Sequence, residues 1–358
     1  MPTIDELRGQ GQIGGRTVQI NDDGSVACAV YDPAPLPAGS VRVRTVRSAI
    51  SPGTESTYLG RAATNVHLSR QWNADLRLFE EGSPSVDYPI TFGYRAAGIV
   101  VESHGASVVA GARIWGNWRH TEFVTLAEEV ADRQRVPDGM SWDDAVDVGQ
   151  MGPICVNAAA FAEGQEAGQP AVVIGAGPIG LMTAQIVRAG SARPVVVVDR
   201  RSFRLEIARG LGLDVLHADA GMDVAATLKR RFGADGIPVA WECSGAVSAL
   251  AEAIRVVARR GLVIAVGFYQ GGASDLRLGD EFHHNGVRLV SAQIGNPHGA
   301  ADRRQLQERA LELIADGRLV AGGLPRDVVP VEEAAAAFER LRHPDEVLQV
   351  ALDYGPAA

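Results

Sequence analysis

Three glycines spaced G-x-G-x-x-G, namely Gly175, Gly177 and Gly180, are the residues of this chain with the clearest chemical use. They follow an apolar run from Ala171 to Ile174 and open a helix-forming segment, with Pro178 where a first helical residue would sit. A second apolar run, PVVVVD, ends in Asp199, 19 residues past Gly180. In this context the pattern predicts a turn that binds the pyrophosphate of a dinucleotide. Gly175 permits the tight turn, Gly177 lets the backbone approach the phosphates, and Gly180 lets the helix pack close to its strand. The helix start, with Pro178 and Ile179, offers free N–H groups and a positive dipole end. Asp199 can accept from both hydroxyls of an adenosine ribose and would repel a 2′-phosphate, which predicts NAD over NADP. Arg200 and Arg201 follow at once; an arginine there can stack on adenine or hold that phosphate.

Other residues could move protons. His120, in GNWRHTEFV, has a side chain whose ordinary pKa suits a general acid or base, although a single histidine is more often structural. His283, His284 and His298 lie near the last apolar run and suit surface or dimer contacts. Cys28, Cys155 and Cys243 are far apart, with no C-x-x-C, so neither a disulfide framework nor a thiolate metal cluster is expected. Cys155 and Cys243 read as small core residues.

Composition narrows the partners. The net charge of −9 argues against nucleic acid and anionic membranes. Lys229 is the only lysine, so nearly all 34 basic residues are arginine, a bias that GC-rich coding explains without a functional reading. The N-terminal MPTIDELRGQ lacks a signal pattern, and the apolar stretch 237–258 carries Glu242, Glu252 and Arg255. A cytoplasmic protein is expected.

The elements that must position these residues fall into two regions. Up to about residue 135 the pattern is strand-like. Val41, Val43 and Thr45 alternate with Arg42 and Arg44 as one buried and one wet face, and AAGIVVES, ARIWG and HTEFVTL read as further strands. Residues 60–87 differ: Trp72, Leu76 and Phe79 at helical spacing predict a surface helix, with a wall over a substrate cleft as the functional alternative. Ser141 and Asp144 form an S-x-x-D helix start. From 170 to about 293, strands at 171–174, 194–199, 213–217, 237–243, 261–267 and 287–293 alternate with helices at 178–189, 202–210, 224–232 and 246–259. That alternation predicts a Rossmann α/β fold, a doubly wound parallel sheet. A helix at 303–316 and a terminal strand VLQVALDY follow.

The whole arrangement resembles the medium-chain dehydrogenase/reductase family. VVIGAGPIGLMTAQIVRAGSARPVVVVDRR is very like the family's nucleotide segment, and WECSG followed by GLVIAVGF resembles its fourth and fifth strands. The resemblance implies a GroES-like β-barrel catalytic domain over 1–152, a dinucleotide domain over 153–293 and a return to the catalytic domain over 294–358. It adds Ser244, Val266, Gly267 and Phe268 to the cofactor residues. It also implies a homodimer joined edge to edge through VRLVSAQ. FGYRAAGIV stands where many members have G-H-E-x-x-G, and SPGTES where many have C-G-T-D. Laid on those motifs, the zinc-binding Cys is Pro52, the His is Tyr94, and the third ligand falls near Met151. None of these suits zinc, and the four cysteines of a structural zinc are also missing. No metal is therefore expected; an unconventional site would have to use Glu55, His67 or His120.

Without a metal, side chains must manage the proton of the reacting oxygen. Thr54 matches the family's proton-relaying Ser/Thr, or else caps a turn. Tyr94 could donate to a carbonyl oxygen, or act as a phenolate if Arg95 or a nicotinamide cation lies close, or simply fill a cavity. Glu55 could pair with Arg95. The resemblance then implies an NAD-dependent, zinc-independent alcohol dehydrogenase or carbonyl reductase acting on a small hydroxylated metabolite. The alternatives are an NADPH-dependent enoyl or quinone reductase, against which Asp199 counts, and a non-catalytic dinucleotide-binding protein.

Overall fold

The computed structural model describes residues 14–59, 65–82, 84–274 and 276–355. MPTIDELRGQ lies outside the described residues. The chain divides into two compact units, Met1–Gln150 with Pro325–Ala358, and Met151–Leu324.

The first leg carries β1 (Gly15–Ile20), β2 (Val26–Tyr31), β3 (Ser40–Ala49), β4 (Arg70–Asn73), β5 (Leu78–Glu81), β6 (Ala96–Ser103), β7 (Arg113–Gly116) and β8 (Phe123–Ala127), then α1 (Glu128–Arg133) and α2 (Trp142–Val148). The second unit runs α3 (Met151–Ala160), β9 (Ala171–Ile174), α4 (Pro178–Gly190), β10 (Val195–Asp199), α5 (Ser202–Gly210), β11 (Asp214–His217), α6 (Val224–Phe232), β12 (Val239–Glu242), α7 (Val247–Val256), β13 (Leu262–Ala265), β14 (Arg288–Ser291) and α8 (Arg303–Ala315). The chain then returns through β15 (Asp327–Pro330), α9 (Ala334–Arg340) and β16 (Val350–Asp353).

The second unit is the expected doubly wound fold. Its six strands are all parallel, in the order β11-β10-β9-β12-β13-β14. Neighbours on opposite sides of β9 come from opposite halves of the second unit, which makes the end of β9 the point where strand order reverses. Val172, Val196, Ala240 and Val263 are fully buried under Leu228 of α6 and Ile254 of α7. Continuous apolar strands of this kind are what a sheet covered on both faces requires.

In the first unit β3 is the hub. It pairs antiparallel with β16, β6 and β8, and the sheet runs β15-β16-β3-β6-β7. Val41, Val43 and Thr45 are fully buried, as their alternation predicts. The face carrying Arg42 and Arg44 is not wet, however. Arg42 is buried and donates to the Ala34 carbonyl; Arg44 binds Glu122 and the Tyr354 carbonyl. Their guanidinium groups hold covering segments down on the sheet.

Two further expectations need correcting. The described part of 60–87 contains no surface helix over Trp72, Leu76 and Phe79; β4 and β5 form an antiparallel hairpin there, with Trp72 opposite Phe79. Their rings lie 4.9 Å apart, and the Asn73 side chain accepts from the N–H groups of Asp75 and Leu76 to set the turn. A spacing of four and three residues fits a helix face, but here it spans a turn. The return to the first unit begins at Pro325, not at 294 as expected, because α8 packs on α3 within the second unit. Its Leu306, Ala310 and Leu313 are buried, and Asp302 with Gln305 closes a capping box at its start. Among the described residues, no helix is long and apolar enough to cross a membrane.

Candidate functional site

The dinucleotide half is built at the end of β9. Pro178 is the first residue of α4 and Gly177 its N-cap, so the first amides of the helix face the turn. A Cβ at Gly180 would lie 1.8 Å from the Gly175 carbonyl oxygen, so only glycine allows the helix this close to the strand. Asp199 ends β10. Its carboxylate accepts from Ala176 N at 2.7 Å and from Arg201 N at 2.9 Å, which fixes it beside the glycine turn. Arg200 is exposed, and its carbonyl oxygen accepts from His217 Nε2 at 2.8 Å. Arg204, on α5, was not foreseen. Its Nη1 would stand 3.8 Å from a Cβ on Gly177, which brings a fixed cation to the phosphate turn. A basic residue in the first turn after the acidic strand end was the available signal.

Ser244, Val266, Gly267 and Phe268 follow the ends of β12 and β13, on the far side of β9 from Asp199. Phe268 is 41% exposed, an open apolar face on that side of the crevice. These residues fit a dinucleotide: a close-packed glycine turn, free helix amides, an acid for the ribose and a second pair of loops for the other half.

The first unit gathers the candidate proton-handling residues. Thr54 and Glu55 sit on a tight turn where Thr54 N and Glu55 N donate to the Ser51 carbonyl at 3.3 and 3.0 Å. Glu55 is fully buried; its Oε1 accepts from Ser51 N at 3.0 Å and its Oε2 lies 2.8 Å from His120 Nε2. His120 is likewise buried, and its Nδ1 lies 2.8 Å from the Ser48 hydroxyl. The Tyr354 hydroxyl is 3.5 Å beyond Ser48. Gly93 has a φ of +121°, and a Cβ on it would fall 2.4 Å from His120 N. That close approach brings the Tyr94 loop onto the segment that carries His120, just before β8. The partly exposed Tyr94 phenol stands close to the hydroxyls of Ser51 and Thr54, which act to lower its pKa. Burial pushes its pKa above the ordinary value, and the Glu55 carboxylate pushes it further up.

Two expectations about charge fail here. Glu55 does not pair with Arg95; its partner is His120. Nor does Arg95 make Tyr94 a phenolate, since burial and Glu55 outweigh it. Arg95 is fully buried and turned to Asp147 of α2, donating Nε to Oδ1 at 3.1 Å with a second, shorter bond from Nη2. Arg326 closes the other side, donating Nη2 to Asp147 Oδ2 at 2.7 Å, and Arg95 also donates to the Ile50 carbonyl and to Gln349. The acid 52 residues further along the chain wins because it shares a buried pocket with both guanidinium groups. Sequence reasoning had no signal for Asp147, Arg326 or Gln349, and none for Ser48 beyond its being a hydroxyl on a buried strand.

Pro52, Tyr94 and the region of Met151, where the resemblance places the zinc ligands, offer no imidazole, thiolate or carboxylate at those three residues. Among the described residues, no three His, Cys, Asp or Glu side chains group as metal ligands would. His67 packs its ring 5.3 Å from Phe79 and stands apart from Glu55 and His120 in role. The residues present do not fit a catalytic zinc ion.

Comparison with known proteins places these features in company. Residues 178–327 match the family described as zinc-binding dehydrogenase. The chain is 26% identical over 348 residues to D-guloside 3-dehydrogenase of Escherichia coli K12, covering 92% of this chain and 97% of that one. The fold superposes on 2R,3R-butanediol dehydrogenase of Bacillus subtilis with a TM-score of 0.75 at 19% identity, covering 95% and 100% of the two chains. It also superposes on a zinc-binding dehydrogenase of Sinorhizobium meliloti solved with NADP, with a TM-score of 0.71 at 18% identity, covering 96% and 100%. The matched segment 178–327 does not include positions 52 and 94.

Proposed function

We propose that this chain is an oxidoreductase of the zinc-binding dehydrogenase kind that its dinucleotide unit matches, and that it works without a catalytic metal, with NAD(H), on a hydroxyl or carbonyl of a small metabolite. The observation that carries this reading is the partly exposed Tyr94 phenol, at the position where the resemblance places the family's histidine ligand and close to the Ser51 and Thr54 hydroxyls. The bound nicotinamide supplies or accepts the hydride. In the reducing direction Tyr94 gives its proton to the substrate oxygen, and Thr54 and Ser51 return one to the phenolate from solvent. Tyr94 and Thr54 are the groups that touch substrate. Glu55 and His120 have both carboxylate oxygens and both ring nitrogens engaged, so they hold the Ser51–Thr54 turn in place from behind.

Asp199 at the end of β10 supports NAD over NADP, because its carboxylate, held by Ala176 N and Arg201 N, would accept from an adenosine ribose and repel a 2′-phosphate. β14 is the edge strand of the parallel sheet, which supports a homodimer paired edge to edge through residues 287–293. Three cysteines far apart in the chain, with no C-x-x-C, suit the reducing cytoplasm, and the acidic chain suits neither nucleic acid nor anionic membranes as partners. The name of the Escherichia coli relative supports a sugar or other polyhydroxylated compound as substrate.

The test is NADH oxidation followed over a panel of ketones, keto-glycosides and enones, with NADPH in parallel. Turnover of ketones or keto-glycosides, faster with NADH, is expected. Reduction of enones with NADPH alone would make the protein an enoyl or quinone reductase. Cofactor binding with no turnover on any compound would make it a non-catalytic binding protein.

A further inference from the structure

We propose that the buried carboxylate of Glu242 biases the cofactor site toward the oxidised, cationic nicotinamide. The inference rests on the reading that the second unit binds NAD(H). It starts from a residue that neither the glycine turn nor Asp199 needs. Glu242 is the last residue of β12 and is fully buried.

Everything that binds its side chain is a donor. Oε1 accepts from Ser244 N at 2.7 Å and from the Ser244 hydroxyl. Oε2 accepts from Gly245 N at 3.1 Å and from the Tyr269 hydroxyl. Two backbone amides and two hydroxyls around one carboxyl group are the surroundings of an ionised carboxylate, which is an acceptor only. The Glu242 backbone joins the same cluster, its carbonyl accepting from Val266 N at 2.8 Å and Gly267 N at 3.1 Å. One residue therefore ties the loop after β12 to the loop after β13.

The place of that charge follows from topology. Asp199, on β10, takes the adenosine ribose, and the glycine turn at the end of β9 takes the pyrophosphate. A dinucleotide extended across the crevice must lay its nicotinamide half over the ends of β12 and β13. The Glu242 loop abuts the phosphate turn directly: a Cβ on Gly175 would lie 2.9 Å from Ser244 N. The nicotinamide ring is cationic when oxidised and neutral when reduced. A fixed negative charge, unscreened by water, lowers the energy of the cation and leaves the neutral form nearly unchanged.

The test uses the full chain and reads binding, not turnover. Dissociation constants for NAD⁺ and NADH are measured by calorimetry on the wild type, Glu242→Gln and Tyr269→Phe. Glu242→Gln keeps the shape and removes the charge, so its Kd for NAD⁺ should rise about fivefold or more beyond any rise for NADH. Tyr269→Phe removes one donor and leaves the carboxylate less neutralised, so it should move the ratio the opposite way, tightening NAD⁺ relative to NADH. Equal changes in both constants would overturn the inference and leave Glu242 a purely structural clasp. If Glu242→Gln does not fold, an unchanged NAD⁺ to NADH ratio in Tyr269→Phe overturns it alone. Failure of the wild type to bind either nucleotide would instead remove the reading on which the inference stands.

Discussion

Tyr94→Phe is expected to lower kcat for carbonyl reduction by about a hundredfold or more, with the Kd for NADH unchanged. The phenylalanine keeps the ring and its packing but removes the partly exposed phenol to which the proton donation is assigned. Cofactor affinity should not move, because the residues assigned to it lie in the second unit. The pH profile is a second check on the same claim. Burial, and after it the Glu55 carboxylate, hold the Tyr94 phenol above its ordinary value near ~10. A donor of that kind stays protonated through the neutral range. Reduction should be flat from about pH 6 to about pH 9, and alcohol oxidation, which needs the deprotonated phenol, should rise with pH throughout. Steady-state rates in both directions measure this. Full activity in the variant, or a reduction rate that falls through neutrality, would take the proton away from Tyr94.

Asp147→Ala should cost about 3–5 kcal/mol of stability, because it takes the carboxylate from the fully buried Arg95 and leaves Arg326 with Asp143 as its remaining acid. Arg95 is fully buried and the Arg326 side chain is 3% exposed, so water cannot replace the lost carboxylate without opening the unit. The Ile50 and Gln349 oxygens remain as partners for Arg95, but neither carries charge. In thermal unfolding the transition of the first unit should fall by roughly 10 °C. Asp147→Asn, which preserves an acceptor at Oδ1 and the shape of the pocket, should lose less. A shift within about 2 °C for Asp147→Ala would mean that the network is screened and contributes little. This cluster is also the reason Arg95 takes no part in the proposed chemistry: its charge is consumed by α2 and the chain return.

How much of this was legible differs between the two units for a physical reason. In the second unit the determinants are local. The glycine turn, the acid at the next strand end and the apolar runs marked every strand of the parallel sheet, and the helices at 202–210 and 224–232 fell on their observed bounds. In the first unit they are not local. Trp72, Leu76 and Phe79 read as a helix because their spacing fits one, while the Asn73 turn that separates β4 from β5 leaves only a short-range polar signal. Arg95 looked like the partner of Glu55 because both stand at altered motif positions; the actual partners, Asp147 and His120, come from α2 and from the segment before β8. β15 and α9 went unread, since four-residue strands and an alanine-rich turn of helix carry little periodicity. The proton-handling residues were nameable from the sequence, but which of them face outward and which lie buried behind needed the fold.

The central claim is that this chain dispenses with a metal and uses Tyr94 and Thr54 in its place. It is tested most directly by metal analysis of the purified protein, together with its NADH-dependent turnover before and after dialysis against a strong chelator. The account predicts substoichiometric zinc and undiminished turnover after chelation. One zinc ion per chain, with activity lost on its removal and restored on its return, would contradict it.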